Sequence, residues 1–367
     1  MFLHVTEKLF IFTITIICLF ILFIYCYLPY IIPSRSTSMN MMLIKEELSQ
    51  SKNINIQHST FKNNKFDLSH FNYSGICSNP FKYKQNNKRD LIFNSVYYDD
   101  VETWKKHKEE IQQAIELSHH TIPHATKILY LYGDINDEEF KKMFHQNGYQ
   151  IVRSEFKMNR TYKKKKYIVS QRYIDFETYL KEHQSEYDRV VFSDLRDVYW
   201  FADGFATISP DELILMNECD DLGNYVLKCL DYGRMNKYQP NYKWVDKFYG
   251  KEIYSMMKEK KSKVLNGGFI AGSTEKMLQF LKIMNKQLNK KPEYLYEWGY
   301  DQATLNYIYH FGKLDSLNVT SNTITQRLGF DIFQHYKYDK EKKALYMKSN
   351  GCSSIIRHKL MKTYAMK

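Results

Sequence analysis

The stretch Asp188–Phe205 reads DRVVFSDLRDVYWFADGF. A short apolar run, Val190-Val191-Phe192, climbs into Ser193-Asp194-Leu195-Arg196-Asp197. An aromatic segment follows, Val198-Tyr199-Trp200-Phe201, and the stretch breaks at Gly204. A run this short, β-branched and aromatic predicts a buried strand. A strand that ends in two carboxylates sets them at the carboxyl edge of a sheet, where open α/β sheets bind ligands. Two acidic side chains there suit a hard divalent cation such as Mg²⁺ or Mn²⁺, which in turn holds the phosphates of a nucleotide. Strand-end aspartates also cap the turn or helix that follows, and this stretch alone leaves both readings open.

Working outward, the preceding residues alternate strand and helix patterns. Leu91–Tyr98 predicts a first strand, and Val101–Ser118 a helix with Trp104, Ile111, Ile115 and Leu117 as its apolar members. Lys127–Tyr132 predicts a second strand, ending at Gly133. Asp137–Asn147 follows as a helix with the stripe Phe140, Met143 and Phe144, and Gly148 stands where a left-handed cap belongs. Gln150–Arg153 is another strand, and Arg172–His183 a helix with Tyr173, Phe176, Tyr179 and Leu180 on one face. Such alternation implies crossover units: an α/β fold with a mostly parallel central sheet flanked by helices.

Downstream, Glu212–Met216 is a strand candidate, and Asn217–Lys263 is a long, polar, Tyr-rich insertion with helical pieces around Trp244–Met257. Val264–Gly272 (VLNGGFIAG) is a strand with paired glycines inside it. Glycines there lose packing and chain order, which a ligand pressed against the backbone would offset. Asn266 would offer that ligand an amide; a β-bulge is the plain alternative. Ser273 caps a helix whose stripe Met277, Phe280, Leu281, Met284 and Leu288 reads as core. Trp298-Gly299-Tyr300-Asp301-Gln302 opens a further helix. Asp301 has an ordinary place near a helix start, but Asp301 and Gln302 together also supply the paired donors and acceptors that sugar hydroxyls require. Ser354–Lys359 forms a short strand carrying His358; a lone histidine of this kind is ordinarily structural.

With 367 residues the chain holds one large or two ordinary domains, and 44% hydrophobic residues support a sizeable core. The net charge of +12 is spread through Lys-rich runs such as Lys163–Lys166 and Lys258–Lys261, which read as solvated surface. No nucleic-acid motif accompanies them, so no nucleic-acid partner is expected.

Leu9–Ile32 carries no charged residue and at about 1.5 Å per residue spans roughly 36 Å, enough to cross a bilayer. The run is too long for a cleaved signal peptide and has no small-residue cleavage site, so an uncleaved signal-anchor is expected. The expected order is a cytosolic tail (1–8), a transmembrane helix in the lipid bilayer (9–32), a polar stem or linker (33–89) and a globular domain (90–367) in the lumen. Sequons at Asn72, Asn159 and Asn318 agree with a lumenal body. Of the six cysteines, Cys18 and Cys26 lie in the apolar run; Cys77, Cys219, Cys229 and Cys352 allow three pairings, with Cys219–Cys229 the first choice on spacing and four free thiols the alternative.

In this order the chain resembles Golgi-type nucleotide-sugar glycosyltransferases of the GT-A fold, over roughly residues 90–365. The resemblance rests on Ser193-Asp194-Leu195-Arg196-Asp197, on Leu265–Gly272, on Asp301-Gln302 with Asn306, and on Ile356-Arg357-His358. It implies Mn²⁺ (or Mg²⁺) held by Asp194, Asp197 and His358, and a nucleotide-diphosphate sugar as donor, contacted by Asp194, Arg196, Asn266, Gly267 and Gly268. It implies Asp301 and Gln302 as the catalytic pair orienting donor sugar or acceptor, of a kind similar to that of retaining enzymes. The implied activity is hexosyl transfer to a glycan or glycoprotein acceptor by a single-pass type II protein of the Golgi or endoplasmic reticulum membrane.

The acidic motif departs from the family's D-x-D. Asp194 and Asp197 are three apart, so on an ideal strand they point to opposite faces. Both reach one ion only if the chain turns after Asp194; otherwise Asp194 holds the ribose or an arginine while Asp197 binds the metal. Arg196 either pairs with a carboxylate or reaches a phosphate. Two other classes compete. One is a membrane-tethered nucleotide-sugar or glycan-binding protein without catalysis. The other is a phosphatase with the strand-end Asp as nucleophile, which prefers a second Asp where Arg196 stands.

Overall fold

Val190, Val191 and Phe192 are each buried, but on alternate faces of one sheet: Val190 and Phe192 join one apolar cluster and Val191 another. That is why the run is continuously apolar and not alternating. The computed structural model describes residues 59–156, 167–219, 229–235, 237–322, 325–330 and 335–359, all within one compact unit, Asn55–Lys367. The expected tail and membrane-crossing run lie outside the described residues. Among the described residues no helix is long and apolar enough to cross a membrane.

In chain order, β1 (Asp90–Tyr97) leads through α1 (Val101–Lys105) and α2 (Lys108–Thr121) to β2 (Thr126–Tyr132). α3 (Glu138–Gln146), β3 (Tyr149–Arg153), α4 (Gln171–Glu182) and β4 (Arg189–Asp194) follow. The second half runs β5 (Val198–Trp200), β6 (Leu213–Asn217), α5 (Pro240–Tyr249), α6 (Lys251–Glu259), β7 (Leu265–Ser273), α7 (Thr274–Leu288) and α8 (Tyr300–His310). It closes with β8 (Val319–Asn322), β9 (Leu328–Phe330), β10 (Tyr336–Asp339), β11 (Ala344–Met347) and β12 (Ile356–His358). The fold is α/β, as expected: a seven-stranded sheet in the order β3-β2-β1-β4-β7-β6-β8, flanked by helices. It is mostly parallel; β7 runs antiparallel to both neighbours, β4 and β6. A smaller sheet, β5-β12-β9, sits at the carboxyl end of β4, and β10-β11 form a hairpin. The helix expected over Val101–Ser118 is instead two, broken at Lys106 and His107, the first capped by the Asp100 carboxylate on the Thr103 amide.

One expectation is corrected. The polar stretch 33–89 reads as a stem, but its described part packs into the globular unit. Phe66, Leu68, Phe71, Tyr73, Cys77 and Phe81 are buried. Cys77 is bridged to Cys352, Ser353 exchanges hydrogen bonds with Asn72, and Gln326 donates to the Cys77 carbonyl. The apolar residues here are spaced without a helix or strand period, so they fold as an irregular strap that periodicity does not reveal. The second disulfide is Cys219–Cys229.

Candidate active site

β4 stops at Asp194, and the chain bends through Leu195-Arg196-Asp197 before β5 begins. Leu195 is driven into the apolar cluster of Tyr98, Trp104 and Phe140. With Leu195 turned inward, Asp194 and Asp197 face the same cleft, so the turn that the D-x-R-D spacing demanded is present. β12 then pairs antiparallel with β5 in a register that sets His358 opposite Val198. A bond from the Lys359 amide to the Asp197 carbonyl, 2.6 Å, locks this register. The His358 imidazole is wholly buried, with the Phe330 ring packed at its edge. Its Nε2 lies 3.2 Å from Asp197 Oδ1 and 3.6 Å from Asp194 Oδ2. One ligand atom from each of the three residues lies within 4.8 Å of the others.

Arg172, in the first turn of α4, fixes the other side of Asp194. Its guanidinium donates to Asp194 Oδ1 at 2.5 Å and to Asp301 Oδ2 and the Gly267 carbonyl at 3.3 Å each. It lies against the adjoining Phe192 and Tyr173 rings. Asp194 therefore spends one oxygen on an arginine and turns the other towards His358, combining the two roles that the sequence left as alternatives. Sequence reading missed Arg172. The available signal was a cation at a helix N-terminus, where the macrodipole disfavours it unless a buried anion compensates.

Burial works against the charge on Asp194, but Arg172 and His358 outweigh it and hold the carboxyl well below the usual carboxylate range. Burial is likewise overcome at Asp197, chiefly by His358, and that carboxyl is also lowered. For His358 burial alone would favour the neutral ring; Asp197 and Asp194 reverse this and raise it. Asp301 is pushed up by burial, with Arg172 pulling the other way. Asp194 and Asp301 thus share one bridging guanidinium, while Asp197 relies on His358, with Lys359 acting at longer range. The remaining negative charge can be met by an imidazolium or by a dication.

The glycines of β7 complete the floor. The pairing with β6 slips between Leu215 and Met216, so the bulge reading is realised, and the slip brings Gly268 beneath the acidic pair. A Cβ on Gly268 would strike the His358 imidazole and lie 2.6 Å from Asp194 Oδ2 and 2.8 Å from Asn266 Oδ1. The absence of a side chain at this position lets a carboxylate, an imidazole and an amide close in on one point of the β7 backbone. Carboxylate oxygens and one imidazole nitrogen form a donor set that fits Mn²⁺, so Asp194, Asp197 and His358 would hold the ion implied by the resemblance.

Asn266, Gly267 and Gln302 form one network with the triad's neighbours. Asn266 Oδ1 accepts from the Gly268 amide at 2.7 Å, and Gln302 Oε1 accepts from the Gly267 amide and the Asn266 side chain at 3.3 Å each. Glu218, just past β6, accepts from both the Gln302 and Asn266 amides through Oε2; it was hidden in the polar insertion. Asn306 clamps the Leu265 backbone with two bonds of 2.8 Å. Arg196 differs from the rest: it pairs with Glu110 at 3.0 Å, so the carboxylate alternative is the one realised, on the cleft wall outside the triad. Asp194, Asp197, Glu218, Asn266, Gly268 and Gln302 line a cleft of about 410 Å³ that runs from the end of β1 to Trp244 and Trp298, with the buried His358 behind the two aspartates, a size typical of small-molecule sites. No protein-family model matches this chain, and comparison with curated proteins gives no match, so the chemistry of this cleft is what a functional reading rests on.

Proposed function

We propose that the chain is a metal-assisted glycosyltransferase that moves a hexose from a nucleotide-diphosphate sugar to a glycan or glycoprotein acceptor. The observation that carries this reading is the convergence of Asp194, Asp197 and His358 over the side-chain-free position 268. The motifs that resemble the GT-A family are the ones brought together around that point. A bound dication would offset the negative charge that grows on the departing diphosphate. Arg172 holds Asp194 in place for that work by fixing one of its oxygens. Asp301 and Gln302, anchored by Arg172 and Glu218, orient the sugar beside it. Two disulfides and the apolar run Leu9–Ile32 support a membrane-anchored protein with its body in the lumen of the Golgi or endoplasmic reticulum.

The test is a screen of UDP- and GDP-sugars with Mn²⁺ on the full chain, with product analysis. Wild type should hydrolyse or transfer one donor, and Asp197→Ala should lose that turnover. Equal turnover by the two proteins rejects the metal role. Nucleotide-sugar binding by calorimetry with no turnover makes the chain a binding protein instead.

A further inference from the structure

The cleft wall around Trp298 adds an aromatic surface to the acidic and amide groups already described. Trp298 lines it and is 52% exposed, while the indoles of Trp104 and Trp200 are buried. Its ring lies 5.0 Å from that of Tyr167. The next residue, Gly299, has φ of 83°, and any Cβ there would collide with the indole of Trp244. Trp244 also lines the cleft. Trp244 is thus pressed against the backbone at Gly299, a position that favours glycine, and Trp298 is the residue before it. Asp301 and Gln302 follow in the first turn of α8, and Glu218 lies against Gln302. Both amide donors to Glu218 use Oε2; among the described residues Oε1 accepts no hydrogen bond.

We propose that this wall is a carbohydrate platform and that the acceptor, on the transferase reading above, is a pyranoside and not a peptide side chain. A pyranose has an apolar face of C–H bonds and a rim of hydroxyls. A half-exposed indole packed against Tyr167 fits the face, and a carboxylate with a free oxygen takes a proton donor from the rim. A peptide that binds by strand addition needs an open strand edge; this wall consists of side chains at the start of a helix. Rigid aromatic surface is placed where binding has little ordering to do.

Ligand-observed saturation-transfer NMR tests this on the full chain in lipid nanodiscs. The probes are methyl α- and β-glycosides of glucose, galactose, mannose and N-acetylglucosamine, with an unglycosylated Ser/Thr peptide beside them, each with and without Mn²⁺ and UDP or GDP. At least one glycoside should receive saturation on one face of its ring. Trp298→Ala should weaken it at least about tenfold, Trp298→Phe should hold it within about threefold, and Glu218→Gln should weaken it several-fold, all with unchanged thermal midpoints. No glycoside response under any condition, a response from the peptide alone, or undiminished binding by Trp298→Ala overturns the platform. Binding is read without turnover, so a failed donor screen with glycoside binding intact removes the transferase and leaves the platform; the reverse result removes the platform alone.

Discussion

His358 Nε2 lies 3.2 Å from Asp197 Oδ1, although 161 residues separate them in the chain. The contact follows from strand register: β12 lies on β5 with His358 opposite Val198, the residue after Asp197. Each partner is the other's main electrostatic support; removing His358 strands buried Asp197, and removing Asp197 leaves His358 only the more distant Asp194.

Asp197→Ala and His358→Gln should each weaken Mn²⁺ binding beyond the roughly 10–100-fold typical of changes outside the ligand shell. Calorimetric titration of Mn²⁺ into the two variants and the wild type measures this. Wild-type affinity in either variant would exclude that residue as a ligand.

The raised His358 gives a pH dependence of known sign. A group whose folded value lies above its unfolded 6.5 contributes its full stability below 6.5 and loses it as pH climbs through the folded value. The lowered aspartates act only below 3.8, outside this window. Mn²⁺ competes with the proton at Nε2, so its stabilising effect should grow as the proton leaves. Buried Lys127, lowered to about 8, acts in the opposite sense, so thermal melts between about pH 6 and 9 should show the metal-free protein weakening relative to His358→Gln and the Mn²⁺-induced rise in midpoint widening. His358→Gln should flatten that widening.

Gly268→Ala should damage the site more than the fold. The new methyl carbon would sit 2.6 Å from Asp194 Oδ2 and against the His358 ring. Overpacking of this kind costs about 1–3 kcal/mol in stability, whereas the same methyl pushes the Asp194 and His358 side chains out of the positions in which they converge. Chemical denaturation together with Mn²⁺ titration separates the two effects; unchanged metal binding would show that the cradle is not the ion's place.

Arg172→Met should destabilise the protein by about 3–5 kcal/mol, because it strands buried Asp301 and frees Asp194 from its anchor. Adding Asp301→Asn should recover part of the loss, since one uncompensated carboxylate is gone. Urea denaturation of the single and double variants gives the coupling directly.

The Cys77→Ser/Cys352→Ser pair should lower stability by about 2–5 kcal/mol, as expected when a disulfide closing a long loop is removed. It should also weaken Mn²⁺ binding, because the bridge fastens the segment that leads into β12 to the strap at residues 66–81. Denaturation and metal titration before and after reduction of the wild type provide the parallel control.

Local pattern carries most of the secondary structure, the exception being Val101–Ser118, where the chain breaks at Lys106 and His107. The apolar run at 190–192, the alternation of strands with helices and the helix stripes are set by burial and periodicity within a dozen residues, and they sufficed for an α/β sheet with two aspartates at its edge. The bulge at Gly267-Gly268 was visible as an anomaly of composition. The strap at 59–89 was not, because its aromatic residues obey no period and are ordered only by the surface they cover.

The sequence by itself determined which residue types arrive at the end of β4 and on β7, since those follow from local pattern. Tertiary structure alone decided that Leu195 turns inward, so that Asp194 and Asp197 share a side, and that Arg172, Glu218 and His358 join them. These are pairings between distant charges and strands. Their partners are selected by register and burial in the folded chain, and no short window of sequence contains both halves of such a contact.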